Sequence, residues 1–408
     1  MLKYRKKRRI RPREFRSHPR TTCFFQHRFK TCGGTGRIYG NDWRRIKRYP
    51  AEREFCILIY HFFMSAKSIF FLIFFGCTWL AASQTPYFVI DSGFVFENPP
   101  FQSCHSSTVV EMENGNVLCA WFGGKHEGSN DVSIWLSELS SETWTSPTLV
   151  ADGIQNDTTR YACWNPVLYR DKTKLFLFYK VGTSPSTWWG EYKVSTDDGK
   201  TWSKVAKLPD GILGPIKNKA IRIGKTVLHP SSTETAGNTR WKSFIELSDR
   251  NLTQWKSVPI DTASSYKVIQ PTLLCYGENR IQALLRSNSN EILQSWSNDN
   301  GQSWTPITGT GILHPNSGID AVGLSNGVKL LVYNPAIKGE NWWDGRSRLT
   351  VAESVDGLTW NDILILEKHE KGEFSYPAII RLKNDDILIT YTYNRLKIKY
   401  VFIKTRSR

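Results

Sequence analysis

The sequence has few of the signals that indicate a metal centre or a helical fold. Its eight cysteines are scattered and include no Cys-x-x-Cys pair, whereas zinc sites use ligands at short, paired spacings. After Ser83, no amphipathic pattern with the helical period extends beyond about ten residues. We therefore expect no metal ion, no cofactor and no helical domain.

The excess of basic over acidic residues lies almost entirely in the N-terminal segment. Residues 1–63 contain 18 Lys and Arg against 4 Asp and Glu, so they hold +14 of the formal net charge of +17 and leave +3 for the rest. A domain that binds nucleic acid carries its basic residues on the folded surface. The near neutrality after residue 63 therefore argues against nucleic acid as a partner.

The segment that follows has the composition of a secretory signal peptide. It reads MSAKSIFFLIFFGCTWLAASQ from Met64, with a 12-residue apolar run over Ile69–Leu80 that is followed by small residues. Such a run is too short to span a bilayer comfortably. We predict a basic extension over 1–63 that is disordered or not part of the mature protein, a signal peptide over 64–83 and a folded domain over 84–408. The protein would then be secreted or lumenal; the alternative is a type II signal anchor over Ile57–Ala82.

A turn-rich motif recurs along the folded domain and always closes on tryptophan. The clearest copies are STDDGKTW (195–202) and SNDNGQSW (297–304), and more divergent copies end at Trp144, Trp255 and Trp360. The five tryptophans are separated by 58, 53, 49 and 56 residues. Asp can bind backbone N–H groups within such a turn, and Gly supplies a positive φ. We interpret each copy as a fastener whose Trp packs on its own hairpin, not as a reaction centre.

A repeat of about 50 residues with this signature is typical of a β-propeller. Between the copies lie short β-branched or aromatic segments such as DVSIWLSEL, KLFLFYKVG and VKLLVYN. Five motifs can serve six blades if strands from both chain ends build the last blade, and residues 86–96 and 378–403 suit that role. We predict an all-β fold, a six-bladed β-propeller with Asp-box hairpins whose ring is closed by N- and C-terminal strands.

These motifs resemble the sialidase superfamily, in its sialidase-like branch with BNR (Asp-box) repeats. The resemblance covers about residues 97–404 and is carried by segments such as CHSSTVVEMENGNVLCAWFGGKHEGSNDVSIW, LPDGILGPIKNK, PNSGIDAV and EFSYPAII. It implies a site in which three arginines bind the substrate carboxylate. By this resemblance Arg286 and Arg346 are two of the arginines, Arg348 is the competitor of Arg346, Tyr376 is the nucleophile and Asp131 is the acid/base.

Two positions depart from the sialidase pattern. His105 stands where the resemblance places the first arginine, and Gln270 stands where it places the glutamate that assists the tyrosine. An amide cannot take a proton from a phenol, and a neutral imidazole binds a carboxylate less well than a guanidinium. The resemblance therefore implies binding of an acidic sugar more firmly than it implies the usual reaction.

Other polar residues of the expected loops are further candidates. His105 suits acid/base work because imidazole titrates near neutral pH, and Glu127 or Glu234 could pair with Asp131 as glycosidase carboxylates. Trp188 and Trp189 could stack on a sugar ring. The remaining substrate-binding candidates are Lys180, Lys217, Lys219, Asn165, Asn316 and Asp320.

Three functions are consistent with these residues. The first is a secreted, metal-independent glycoside hydrolase that removes a terminal acidic sugar from a glycan, with sialic acid as the default substrate. The second is a uronate-specific lyase or a uronyl-linked glycosidase that uses His105 and Tyr376. The third is a propeller that binds carbohydrate without turnover.

Overall fold

The computed structural model describes residues 87–235, 240–341 and 343–405. The basic extension and the signal peptide of the sequence analysis lie outside these residues. All described residues belong to one compact unit, Ala81–Arg408, and every regular element among them is a β-strand. Within the described ranges there is no helix with the length and apolarity needed to cross a membrane.

Six antiparallel sheets form the blades of a propeller, and their strands are named in chain order. The first strand, β1 (Tyr87–Phe94), belongs to the last blade. Blade 1 consists of β2 (Ser103–Glu111), β3 (Val117–Gly124), β4 (Ser133–Ser140), β5 (Thr143–Trp144) and β6 (Thr148–Ala151). A small hairpin of β7 (Ile154–Asn156) and β8 (Thr159–Arg160) leads to blade 2, which consists of β9 (Ala162–Asp171), β10 (Lys174–Gly182), β11 (Trp189–Ser195) and β12 (Ala206–Lys207).

The other four blades follow the same plan. Blade 3 consists of β13 (Ile221–Ile223), β14 (Thr226–Glu234), β15 (Trp241–Asp249) and β16 (Trp255–Pro259). Blade 4 consists of β17 (Val268–Tyr276), β18 (Arg280–Ser287), β19 (Glu291–Ser297) and β20 (Thr308–Leu313). Blade 5 consists of β21 (Asp320–Gly323), β22 (Lys329–Tyr333), β23 (Arg348–Ser354) and β24 (Asn361–Lys368). Blade 6 consists of β25 (Phe374–Arg381), β26 (Ile387–Tyr393), β27 (Lys397–Thr405) and β1.

The ring is closed by the two ends of the described chain. Strand β1 pairs antiparallel with β27, from Tyr87 opposite Thr405 to Phe94 opposite Lys399. This pairing confirms the predicted closure and the predicted six-bladed fold. We call the end of the propeller at which the first strand of each blade begins the top face.

Apolar side chains fill the interfaces between neighbouring blades. Leu118 of blade 1 and Leu175 of blade 2 belong to one buried cluster, and Phe178 of blade 2 and Val227 of blade 3 belong to the next. Burial of such side chains stabilises each interface by roughly 1.5–3 kcal/mol per residue. The core is therefore a ring of separate clusters between blades, and it holds the loops of the top face in a fixed arrangement.

The Asp-box turns have the predicted internal hydrogen bonds. In blade 2 the Asp197 carboxylate accepts hydrogen bonds from the Ser195 hydroxyl (2.7 Å), the Thr201 N–H (2.9 Å) and the Thr201 hydroxyl (2.6 Å). Gly199 has a φ of 84°. These carboxylates are occupied by their own turns, which agrees with the structural interpretation of the motif.

The expectation that each Trp packs on its own hairpin was too narrow. Trp202 of blade 2 packs against the cluster shared by blades 1 and 2, and Trp304 of blade 4 packs against the cluster shared by blades 3 and 4. A Cβ on Gly199 would lie 2.6 Å from Cδ1 of Leu118 in blade 1. The Asp box therefore joins its blade to the preceding one.

Candidate functional site

Four inner strands carry a β-bulge near the top face. The residues with positive φ at these bulges are Ser106 (58°), Asn165 (29°), Gln270 (53°) and Tyr376 (52°). A side chain in the left-handed region costs about 1–2 kcal/mol, and such conformations are concentrated at functional sites. The bulges bring Gln270 and Tyr376 within reach of the same guanidinium group.

That guanidinium belongs to Arg286. Its Nη1 donates to the Tyr376 hydroxyl and, over 2.9 Å, to Oε1 of Gln270. Its Nε donates to Oδ1 of Asn316 at 2.7 Å. Tyr376 and Arg286 are both buried. The tyrosine therefore has a guanidinium and an amide beside it where the resemblance would place a carboxylate.

Two more guanidinium groups lie beside this cluster and share one carboxylate. Nη1 of Arg346 donates to Oε1 of Glu373 at 2.8 Å, and Nε of Arg395 donates to Oε2 of Glu373 at 2.8 Å. Nη2 of Arg346 also donates to the Asn316 carbonyl at 2.7 Å. Arg395 binds a second carboxylate, Glu127, over 2.5 Å. Arg286 and Arg346, both predicted from the sequence, therefore belong to one network, because both donate to Asn316.

This arginine cluster has one net positive charge. Its three guanidinium groups, Arg286, Arg346 and Arg395, are offset by two carboxylates, Glu127 and Glu373. Burial raises the pKa of Glu373, but the charge and hydrogen bonds of Arg395, with the charge of Arg346, outweigh it and hold that pKa below its usual range. A ligand with a single carboxylate would neutralise the cluster.

His105 is not placed for the acid/base role that the sequence suggested. It is 1% exposed, and its ring centroid lies 4.1 Å from that of Tyr376. Among the described residues neither ring nitrogen has a hydrogen-bond partner. Burial, with the positive charges of Arg395 and Arg346, lowers its pKa well below the ordinary value. His105 is therefore a neutral ring that packs under the tyrosine.

The three lysines and Asp320, predicted to bind the substrate, bind other groups of the protein. Lys180 is fully buried and donates to the Pro215 carbonyl at 2.8 Å. Lys217 donates to the carbonyls of Ile319 (2.9 Å) and Pro377, and burial lowers its pKa to about 7.

Lys219 forms an ion pair with Asp320, with Nζ 2.8 Å from Oδ2. The Asp320 carboxylate also accepts from the Thr272 hydroxyl (2.8 Å) and the Ile379 N–H (3.0 Å). These groups brace blades 3 to 6 beneath the site.

Two of the candidate carboxyl groups, Asp131 and Glu234, lie in different environments. Asp131 accepts the Lys125 N–H at 3.1 Å; burial raises its pKa, but hydrogen bonds from Ser129 and Lys125 outweigh this effect and lower it overall. Burial raises the pKa of Glu234, against the opposing charge of Arg286. Asp131 therefore closes a loop, whereas Glu234 is the carboxyl group biased toward its protonated form.

Glu234 also lines a pocket of about 250 Å³ on the top face. Trp188 and Trp189 line the same pocket, as does Lys207, whose ammonium lies 5.7 Å from the Trp189 ring. Asn165 is buried at its bulge. The predicted tryptophans thus lie beside one of the candidate acids, in an aromatic wall suited to a sugar face.

Sequence reasoning missed Arg395 and Glu373 and left Arg348 as an alternative. Arg348 lies 3.3 Å from Asp362 and 3.3 Å from the Thr350 hydroxyl on the outer strands of blade 5, outside the arginine cluster. Arg395 occupies the turn between β26 and β27 with a φ of 55°. Nothing in the segment YNRLK distinguishes it from an ordinary turn. Across the described ranges, His, Cys, Asp and Glu side chains nowhere form a group of three or more that could hold a metal ion.

Solved structures share this fold at low sequence identity. A protein of unknown function from Dyadobacter fermentans aligns with a TM-score of 0.63 and 16% identity, over 79% of this chain and 100% of that chain. The K499G mutant of NanB sialidase from Streptococcus pneumoniae aligns with a TM-score of 0.60 and 12% identity, over 78% and 70%. Trypanosoma rangeli sialidase in complex with sialic acid aligns with a TM-score of 0.58 and 17% identity, over 76% and 55%.

The sequence matches a known protein family, although no curated protein matches the sequence. The family described as BNR repeat-like domain matches residues 115–389, which include all five Asp boxes in full. Since that match covers more than half of the chain, the chain belongs to the BNR repeat-like domain family, and its fold is that of solved sialidases.

Proposed function

We propose that this protein is a glycoside hydrolase that removes a terminal acidic sugar from a glycan, with sialic acid as the first substrate to test and uronic acids as the second. The observation that carries the proposal is the convergence of Arg286, Arg346 and Arg395 beside the Tyr376 hydroxyl, with one net positive charge. A sugar carboxylate matches that charge. The sialidases of the same fold support a sugar as the ligand.

In this proposal the carboxylate of the sugar lies on the arginines, and Tyr376 supplies the oxygen nearest the anomeric carbon. Arg286 and Gln270 position that oxygen, and the guanidinium stabilises negative charge that develops on it. Glu234 donates the proton to the leaving oxygen, because its raised pKa keeps more of it protonated, and its carboxylate then takes a proton from the water that adds to the anomeric carbon. Trp188 and Trp189 bound the space beside Glu234.

The test is release of phenol from aryl glycosides of N-acetylneuraminic acid, glucuronic acid and iduronic acid by the purified protein between pH 4 and 8. We expect turnover of at least one acidic glycoside and none of the matching neutral glycosides. Incubation with a fluorinated, activated form of the same sugar followed by peptide mass spectrometry reports whether Tyr376 bonds to the sugar. Lack of turnover across the panel would reject the hydrolase.

A second candidate is β-elimination at a uronate. The guanidinium that donates to the Tyr376 oxygen can stabilise a phenolate there. The phenolate would take the proton from the carbon beside the carboxylate, the bond from the next carbon to the glycosidic oxygen would break, and the tyrosine would return the proton to that leaving oxygen. The product is an unsaturated uronate that absorbs in the ultraviolet. A rise in absorbance on uronate polysaccharides, without phenol release in the first assay, would favour this reaction. Binding on a glycan array with neither product would favour a carbohydrate-binding propeller.

We also propose that the chain enters the secretory pathway through residues 64–83 and is released. The support is the sequence pattern alone, because the segment lies outside the described residues. Sequencing of the native N-terminus tests the proposal, with a start near Gln84 expected. A retained apolar segment would indicate the type II anchor instead.

A further inference from the structure

Arg395 is held by two carboxylates that differ in exposure. The Glu373 side chain is 10% exposed and that of Glu127 is 37% exposed, while that of Arg395 is 19% exposed. We propose that Glu127 is an internal counter-ion, which occupies the anion position on Arg395 in the unliganded protein and yields it to the carboxylate of the ligand. The proposal rests on the proposed function for the identity of that ligand.

Glu373 cannot yield in the same way. It bridges Arg346, whose side chain is 4% exposed, to Arg395, and it also accepts the Ser375 hydroxyl at 2.9 Å. Removing one partner of a buried ion pair leaves a buried charge without compensation, which is strongly unfavourable. Glu373 is therefore the fixed carboxylate of the cluster.

Glu127 can leave at low cost. Its carboxylate is the more exposed half of the pair, so water solvates it when it separates, and Arg395 keeps Glu373 as its counter-charge. Glu127 lies on the loop between β3 and β4, and the base of this loop is closed by the hydrogen bond from the Lys125 N–H to Asp131. Rotation of the half-exposed Glu127 side chain thus opens Nη1 of Arg395 to a ligand, while Arg395 stays bound to Glu373 and the loop base keeps its place.

This arrangement makes Glu127 a determinant of specificity. A neutral sugar has no group that replaces the Glu127 carboxylate, so Arg395 gives it no binding energy. A small anion must displace Glu127 without the help of other contacts, whereas a sugar acid also contacts the rest of the site. The internal carboxylate therefore selects against both kinds of competitor.

The experiment measures Arg395 directly, so that it does not depend on turnover. The full chain is treated with phenylglyoxal, and the modification rate of Arg395 is followed by peptide mass spectrometry with and without N-acetylneuraminate, glucuronate or acetate. The variant is Glu127→Gln. The matched control is Glu113→Gln, which removes a similar but remote ion pair in which Glu113 lies 2.6 Å from Arg170.

We expect faster modification of Arg395 in Glu127→Gln than in wild type, and protection by a sugar acid at a roughly two- to fivefold lower concentration, the range that corresponds to a weak, partly exposed pair. Glu113→Gln should behave as wild type. Equal modification rates, protection that requires more ligand, or no protection in either protein would overturn the proposal.

The two proposals fail in different ways. If no glycoside is turned over but acids protect Arg395 more readily in Glu127→Gln, the hydrolase is rejected and the counter-ion stands. If wild type turns over an acidic glycoside but Glu127→Gln binds acids no better, only the counter-ion is rejected. A reduced affinity in that variant would instead make Glu127 a direct contact of the ligand.

Discussion

Arg346 and Glu373 form an ion pair across the interface between blades 5 and 6, with Nη1 2.8 Å from Oε1. The same guanidinium reaches the Asn316 carbonyl through Nη2. Because a lysine ammonium cannot reproduce this fork, we expect Arg346→Lys to lower kcat/KM on the best acidic aryl glycoside by about tenfold or more. Arg348→Lys is the matched control and should stay within about twofold of wild type. Equal losses in the two variants would contradict the assigned anion site.

Glu234 and Asp131 should differ in a leaving-group series. Loss of a general acid costs about 10²–10⁴-fold, and the loss is greatest for leaving groups that need protonation. We expect Glu234→Gln to lose most activity on natural glycosides and little on activated aryl glycosides, with Asp131→Asn less sensitive to the leaving group. The pKa of Glu234 is raised above its ordinary value, so the wild-type rate should fall as pH rises through this raised pKa. The reverse ranking of the two variants would restore Asp131 as the acid.

Asp320 should contribute to stability rather than to ligand binding. Its side chain is 3% exposed and it holds Lys219, which is 21% exposed. We expect Asp320→Asn to lower the free energy of unfolding by about 3–5 kcal/mol, because it leaves Lys219 without its partner. The double variant Asp320→Asn/Lys219→Met should recover part of this loss in chemical denaturation. Additive losses would show that the pair is not coupled.

A side chain on the Asp-box glycine Gly199 should destabilise the fold by more than the cost of its backbone conformation, because it would press on the neighbouring blade. Gly199 has a φ of 84°, and a Cβ there would lie 2.6 Å from Leu118; Gly115 has a φ of 86° with nothing within 4 Å. Gly115→Ala should cost about 1–2 kcal/mol for the backbone conformation alone. Gly199→Ala should cost about 1–3 kcal/mol more from the added contact. Thermal and chemical unfolding of both variants give the comparison, and equal losses would place the whole cost in the backbone.

The buried His229 should make the fold sensitive to acid. Burial lowers its pKa to about 3, below the value of about 6.5 that holds in the unfolded chain. The unfolded state therefore binds the additional proton, so the stability is fully present above pH 6.5 and is lost as pH falls toward 3. His229→Phe should reduce the slope of unfolding free energy against pH by up to about 1.4 kcal/mol per unit between pH 6 and 4.5. The exposed His126→Gln is the control, and an unchanged slope in His229→Phe would refute the assignment.

The fold could be predicted because its signal is local and repeated. Each Asp box, as in STDDGKTW, fixes a turn through bonds within eight residues, so its period is legible in the sequence. Arg286, Arg346 and Tyr376 could be proposed from the resemblance, and the structure brings them together.

The residues of the site that could not be predicted depend on contacts between distant parts of the chain. Arg395 meets Glu127 across 268 residues, and only closure of the ring brings them together. The roles of His105 and Lys180 depend on burial, which the spacing of polar residues near strand ends did not reveal. Residue type suggested acid/base work for His105 and anion binding for Lys180. Burial instead makes His105 a neutral ring packed on Tyr376 and Lys180 a structural brace.

The distribution of Asp boxes around the ring has a mechanical consequence. The box tryptophans of blades 1 to 5 each pack at the interface with the blade before, and blade 6, whose outer strand comes from the other chain end, has no turn in which to place one. Blades 5 and 6 are instead joined by an apolar cluster and by Arg346 with Glu373. An anion bound by Arg346 would contact this same interface, so ligand binding should stabilise the junction of blades 5 and 6.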